Sequence, residues 1–86
     1  MTNQLSPEQL IEIAARCDRA TPGPWRSYVE GRDHTSGDSF IMTGGDDIYL
    51  TGPSAHDQDF IANARQDIPL LIAEIRRLGD LLRSRG

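Results

Sequence analysis

Residues 20–25 read ATPGPW, and this stretch separates a helical start of the chain from an extended middle. Proline removes a backbone donor and restricts the residue before it to extended geometry, so a helix cannot continue through these positions. Trp25, the single tryptophan, follows the second proline directly. We therefore predict that this stretch turns the chain and that Trp25 fills the corner between a first helix and a sheet.

The residues before the turn predict one amphipathic helix over residues 7–19. Ser6 is a favourable N-cap, Pro7 suits the first helical turn, and Gln9 completes a capping box. Apolar side chains then recur at the helical spacing that buries one face of such a helix. These side chains are Leu10, Ile11, Ala14 and Cys17.

The middle of the chain predicts three short strands, over residues 25–30, 39–43 and 47–51. These segments alternate or are rich in β-branched and aromatic side chains, which favour a pleated surface. Gly44-Gly45-Asp46 predicts a tight hairpin between the second and third strands. A wholly polar loop over residues 31–38 connects the first two, so we expect an antiparallel meander.

A second helical region is predicted after Gly52-Pro53, where Ser54 and Asp57 can cap a helix start. Pro69 interrupts this region, and Asp67 before it can cap a new start, so we expect a kink or a break there. The fold class is then α+β in one domain, residues 1–86. It comprises an N-terminal helix, a three-stranded antiparallel β-meander and a C-terminal helical region kinked or broken near Pro69.

Beyond Pro69, apolar residues follow alternating steps of three and four, the spacing of a helix that packs on other helices. The series is Ile68, Leu71, Ile75, Leu78 and Leu82. Only 37% of the chain is apolar, which is little for a monomer of 86 residues. We therefore expect a homo-oligomer, with Leu78, Leu81 and Leu82 at the contact between copies.

Composition also limits the function. The net charge is -4, from 13 acidic residues and nine basic ones that are all arginine, which argues against general nucleic-acid binding. The sequence has one cysteine and no apolar run of about 18 residues, so we expect neither an internal disulfide nor a membrane span. The polar start predicts no secretory signal and hence the cytoplasm of the producing cell. No cofactor motif and no metal site are predicted.

The ligand-binding candidates are arginines and the polar loop EGRDHTSGD, residues 30–38. Arg32 and His34 can face an anion there, although a solvated loop, or an acid-base pair of His34 with Asp33, would also fit. Arg65 can pair with an acid or line a phosphate pocket. The predicted ligand contacts are Arg26, Tyr28, Arg32, His34 and Arg65, with Trp25 or Tyr28 as the stacking ring.

Two phrases of the sequence resemble a known family. ATPGPWRSYVEGRDHTSGDSFIM and DQDFIANARQDIPLLIAEIRRL are similar to small uncharacterised proteins of actinobacteria and their phages. Those proteins share an ATPGPW turn and a C-terminal segment of the form FIAxARxDxPxLLxEIxRL, and the resemblance covers about residues 8–80. It implies a phage or prophage accessory setting and carries over no catalytic residue.

In that setting we expect a small, non-enzymatic, oligomeric binding protein. More specifically, we expect an anti-defence sponge, a protein that sequesters a nucleotide second messenger. This expectation rests on analogy with other phage proteins and not on a motif of the sequence. The alternative is an interaction module that docks a host or phage protein through its C-terminal helix. A third reading is a small hydrolase that uses His34 or His56.

Overall fold

The computed structural model describes residues 5–35 and 37–85 of the chain. Helices and strands follow in the order helix, three strands, helix, so the predicted α+β class is confirmed. The three strands form one antiparallel sheet in the order β1-β2-β3. The elements are α1 (Pro7–Arg19), β1 (Arg26–Tyr28), β2 (Phe40–Met42), β3 (Ile48–Tyr49) and α2 (Ala55–Arg85).

The first helix has the predicted bounds because its capping box forms. The Ser6 hydroxyl accepts from the backbone N–H of Gln9 at 3.1 Å, and the Gln9 side chain accepts from the N–H of Ser6 at 2.8 Å. The chain leaves α1 at Ala20 in extended geometry. Trp25 is half-buried in a cleft between the two helices, and its indole N–H donates to the Thr21 carbonyl at 3.0 Å. Trp25 therefore packs between α1 and α2, and not between α1 and the sheet as the sequence predicts.

The strands lie within the predicted segments but are shorter. Their register places Ser27, Ile41 and Ile48 in one cross-strand row. Ile41 is fully buried, and this row faces α2. Side chains alternate across a strand, so the neighbouring residues of each strand point to the opposite, outer face of the sheet.

The predicted hairpin turn packs directly on the ATPGPW turn. The Gly44 N–H donates to the Pro22 carbonyl at 2.8 Å. A Cβ atom on Gly44 would lie only 2.6 Å from that carbonyl oxygen, so any larger residue would push the two turns apart. This close approach explains the glycine and fixes one end of the sheet against the end of α1.

Two glutamine side chains of α2 hold the sheet on the helix. Gln58 is 2% exposed, and its Nε2 atom lies 3.0 Å from each of three acceptors: the Ser27 hydroxyl and the carbonyls of Tyr28 and Phe40. The Gln66 side chain accepts from the backbone N–H of Trp25 at 2.6 Å and donates to the backbone carbonyl of Trp25 at 3.1 Å. Buried amides are tolerated when they are hydrogen-bonded in this way.

The sequence predicts a kink or a break near Pro69. No break forms, because α2 runs without interruption through this residue, and the kink stays a prediction. A proline inside a helix removes one backbone hydrogen bond and costs about 3 kcal/mol. The turns before Pro69 are held by the hydrogen bonds between Gln66 and Trp25, the residue before β1, and Ile72 just after Pro69 is buried. These contacts fix the helix on both sides of the proline, so Asp67 does not cap a new start.

The part of the chain that the structure describes has a small apolar core, made of Ile41, Ala62 and Ile72. Ile41 lies in the sheet and the other two lie on α2. The second half of α2 leaves most of its leucine and isoleucine side chains at least one-third exposed. The sheet and the first half of α2 therefore form the better buried part of the molecule.

Candidate ligand-binding face

The outer face of the sheet carries a row of three aromatic rings. Tyr28, Phe40 and Tyr49 are direct cross-strand partners in the register. The Tyr28 and Phe40 rings are 5.1 Å apart and nearly parallel, and the Phe40 and Tyr49 rings are 5.7 Å apart and tilted. Tyr49 is 65% exposed at the edge strand. We call these three residues the aromatic row.

Arg26 and His34 extend the aromatic row. The Arg26 guanidinium lies over the Tyr28 ring, 5.2 Å from its centroid, in cation–π geometry. The His34 ring contacts Phe40 at a centroid distance of 5.6 Å. The His34 segment is held close to the sheet because the Gly31 N–H donates to the His34 carbonyl at 2.7 Å. The face therefore combines one exposed ring, Tyr49, and two half-buried rings with one guanidinium and one imidazole.

Arg32 points away from this face and is held between two carboxylates. Its guanidinium donates to Asp59 at 2.8 and 3.0 Å, and to Asp33 at 2.8 and 3.0 Å. Asp33 also accepts from the Val29 N–H at 2.8 Å, which closes the turn of the loop. Arg32 thus fastens the loop to the first turns of α2.

The same contacts shift the pKa values of the two acids. Hydrogen bonds from Arg32, and then from the Ser27 hydroxyl, lower the pKa of Asp59 from 3.8 to about 2. Arg32 and the Val29 N–H also lower the pKa of Asp33. Both carboxylates are therefore ionised at neutral pH, and the pair carries one more negative charge than Arg32 balances. This cluster strengthens the loop and repels a free anion.

Arg65 lies on the other side of the molecule, beside the ATPGPW turn. Its Nε–H donates to the Thr21 carbonyl at 3.0 Å. Within the described part of the chain it forms no ion pair with Asp67 or with Asp59, which pairs with Arg32. It borders an open cavity of about 480 Å³ with Pro24 and Pro69. Arg65 therefore braces the turn against α2 and does not reach the aromatic row.

The structure thus brings together three of the five predicted ligand contacts: Arg26, Tyr28 and His34. Arg32 and Arg65 lie elsewhere, and Trp25 packs in the cleft between the helices. Phe40 and Tyr49 complete the row but were not predicted as ligand contacts. Strand alternation places both on the Tyr28 face, so the register was the signal that could have found them.

The face can bind a flat ring by stacking and an anion through Arg26, because aromatic rings and guanidinium groups serve these purposes. No group of three or more His, Cys, Asp or Glu side chains suited to a metal ion is found within residues 5–35 and 37–85. Within the same ranges, neither helix is both long and apolar enough to cross a membrane. Comparisons with models of protein families, with curated proteins and with solved structures give no match.

Proposed function

We propose that this protein binds a nucleotide-type ligand on the outer face of its sheet and holds it without converting it. The observation that carries the proposal is the aromatic row, which the register places on one open surface. Stacking of a base on an aromatic side chain is worth about 1–3 kcal/mol and tolerates different bases. The Tyr49 ring packs on Phe40 and is still 65% exposed, so much of its surface is available to a ligand.

Charge favours a ligand with few phosphates. Arg26 provides the guanidinium of the face, whereas the chain as a whole carries a net charge of -4. A polyphosphate would meet this negative field, while a ring with one or two phosphodiester groups would gain stacking at a smaller electrostatic cost. Cyclic dinucleotides and ADP-ribose match this description, and both fit the proposed role of a sponge in a phage or prophage setting.

We further propose that the binding protein is a homo-oligomer in the cytoplasm of a bacterial host. The small core of the described residues supports this, because chains with little buried apolar surface gain stability from association. Sequestration also fits the chemistry of the face, whose groups hold a ring rather than activate a nucleophile. A hydrolase that uses His34 is the competing reading, and recovery of the ligand distinguishes the two.

The test is calorimetric titration of the protein with cyclic di-AMP and with ADP-ribose. We expect binding of at least one ligand, and we expect Tyr49→Ala to weaken it roughly tenfold because one stacking surface is lost. Tyr49→Phe keeps the ring and should bind like the parent protein. The ligand should be recovered intact by mass spectrometry after denaturation of the complex.

Arginine variants provide the matched control. Arg26→Gln should weaken binding, whereas Arg77→Gln, which removes an exposed arginine paired with Glu74 on α2, should leave it unchanged. Failure of both ligands to bind, or equal loss with Arg26→Gln and Arg77→Gln, would contradict the proposed face. Hydrolysed ligand in the denatured sample would favour the enzyme reading.

A further inference from the structure

One face of the second half of α2 is apolar and remains uncovered. Leu71, Ile75, Leu78 and Leu82 are separated by 4, 3 and 4 positions and therefore lie on one side of the helix. Their exposed fractions are 61, 44, 46 and 72%. We call these four residues the apolar stripe. It extends over about 17 Å at 1.5 Å per residue, and such a surface on a small protein indicates a contact site.

The pattern of the apolar stripe suits a second helix rather than a loop or a ligand. Its four members follow steps of four, three and four, which is the repeat that lets one helix pack along another. A groove of about 450 Å³ between the start of α1 and the second half of α2 adjoins the stripe at Ile75. Leu5, Leu10 and Gly79 line this groove, so an incoming side chain would meet apolar surface there.

Charge does not oppose the approach of an identical helix. On the same stretch of α2, Arg77 pairs with Glu74 and Arg83 pairs with Asp80. These local pairs balance their own charge, and the stripe itself contains none. A second copy therefore meets no concentrated charge of its own sign along this surface, despite the net charge of -4.

We propose that the apolar stripe pairs with the apolar stripe of a second copy about a two-fold axis. The inference rests on the proposed self-association and names the surface that carries it. A two-fold contact uses the same patch on both copies, so one self-complementary helix face is sufficient. The stripe and the adjacent groove meet at Ile75 and therefore form one continuous surface. The small core makes the partner a structural need, and an identical copy is always present.

The geometry also separates the stripe from other exposed leucines. Successive residues of a helix are about 100° apart, so Leu70 lies well to one side of Leu71. Leu70 is 68% exposed, close to the 61% of Leu71. The two residues match in type, helix and exposure but differ in face, and Leu70 therefore serves as the control for Leu71. Leu81 lies at the edge of the stripe.

The test is sedimentation equilibrium between about 1 and 100 µM, run for the parent chain, Leu71→Gln/Leu78→Gln and Leu70→Gln. We expect the parent chain to be a dimer. The double variant should raise the dissociation constant at least 100-fold, and Leu70→Gln should change it less than threefold. A monomeric parent chain would overturn self-association itself. A dimer that survives the double variant, or that Leu70→Gln disrupts equally, would overturn the stripe as its surface.

Cross-linking keeps the test informative should the double variant not fold. With Cys17→Ser removing the native thiol, Leu78→Cys should form covalent dimers with a short bis-maleimide, while Leu70→Cys should form few. Equal yields from both would overturn the stripe. Titration with cyclic di-AMP on the same samples reports the aromatic row separately, so a lost dimer and a lost ligand site give different results.

Discussion

The two halves of α2 are stabilised by different kinds of contact. The first half meets the sheet and the segments on either side of β1 through directional polar groups: Gln58, Asp59 and Gln66 each bond to a residue at least 27 positions away. The second half presents leucines that contact little within the chain. Hydrogen bonds and ion pairs specify one geometry, whereas apolar surface stabilises whichever partner covers it.

This difference separates two tasks along one helix. The polar contacts fix the sheet and keep the aromatic row on an open surface, although the apolar core beneath it is small. The exposed leucines leave the second half of α2 available for association.

Loss of the Gln58 amide should destabilise the sheet half most. Gln58→Ala leaves the Tyr28 and Phe40 carbonyls without this donor and opens a cavity, so we expect a loss of about 2–4 kcal/mol in the free energy of unfolding. Asn63→Ala removes an exposed amide that donates to the Asp59 carbonyl within α2, and should cost less than about 1 kcal/mol. Urea titration measures both, and equal losses would remove the special role of Gln58.

Loss of the Arg32–Asp59 pair should have a smaller effect that depends on pH. The folded pKa of Asp59 is lowered from 3.8 to about 2, so its contribution is present above about pH 4 and is lost as the pH falls to 2. Asp59→Asn should therefore lower the melting temperature at pH 7, and the difference from the parent chain should shrink towards pH 2.

A control variant and high salt both test whether the effect comes from the Arg32–Asp59 ion pair. Asp67→Asn changes an exposed acid of the same helix for which the described residues show no ion pair, and it should not reproduce the pH-dependent difference. High salt should reduce the Asp59→Asn effect, because the Arg32 side chain is 46% exposed and its charge is screened. A difference that stays constant from pH 7 to pH 2 would contradict the assigned ion pair.

Replacement of Gly79 should give the smallest effect and the opposite sign. A Cβ atom at Gly79 meets only the flexible end of Arg83, at 3.7 Å, so the chain itself does not require glycine there. Gly79→Ala should stabilise α2 by about 0.5–1 kcal/mol. By contrast, Gly44→Ala should destabilise, because its Cβ would clash with the Pro22 carbonyl. Thermal melts of both variants check the signs.

Local signals predicted most of the fold. The Ser6–Gln9 capping box and the glycine-containing hairpin act over a few residues, and both form as expected. No break forms at Pro69, because contacts distant in sequence hold the helix together. The site was predicted only in part for the same reason. Arg32 pairs with Asp59, 27 residues away, and Phe40 joins Tyr28 only through the register of the sheet.

Hydrogen exchange at two protein concentrations tests the division of α2 most directly. Amides of residues 70–84 should become at least tenfold better protected at 100 µM than at 1 µM, because association covers the apolar stripe and stabilises the helix beneath it. Amides of β1 and β2 should change much less once the difference in global stability is subtracted. Protection that is equal at both concentrations throughout α2 would contradict association through the second half of this helix.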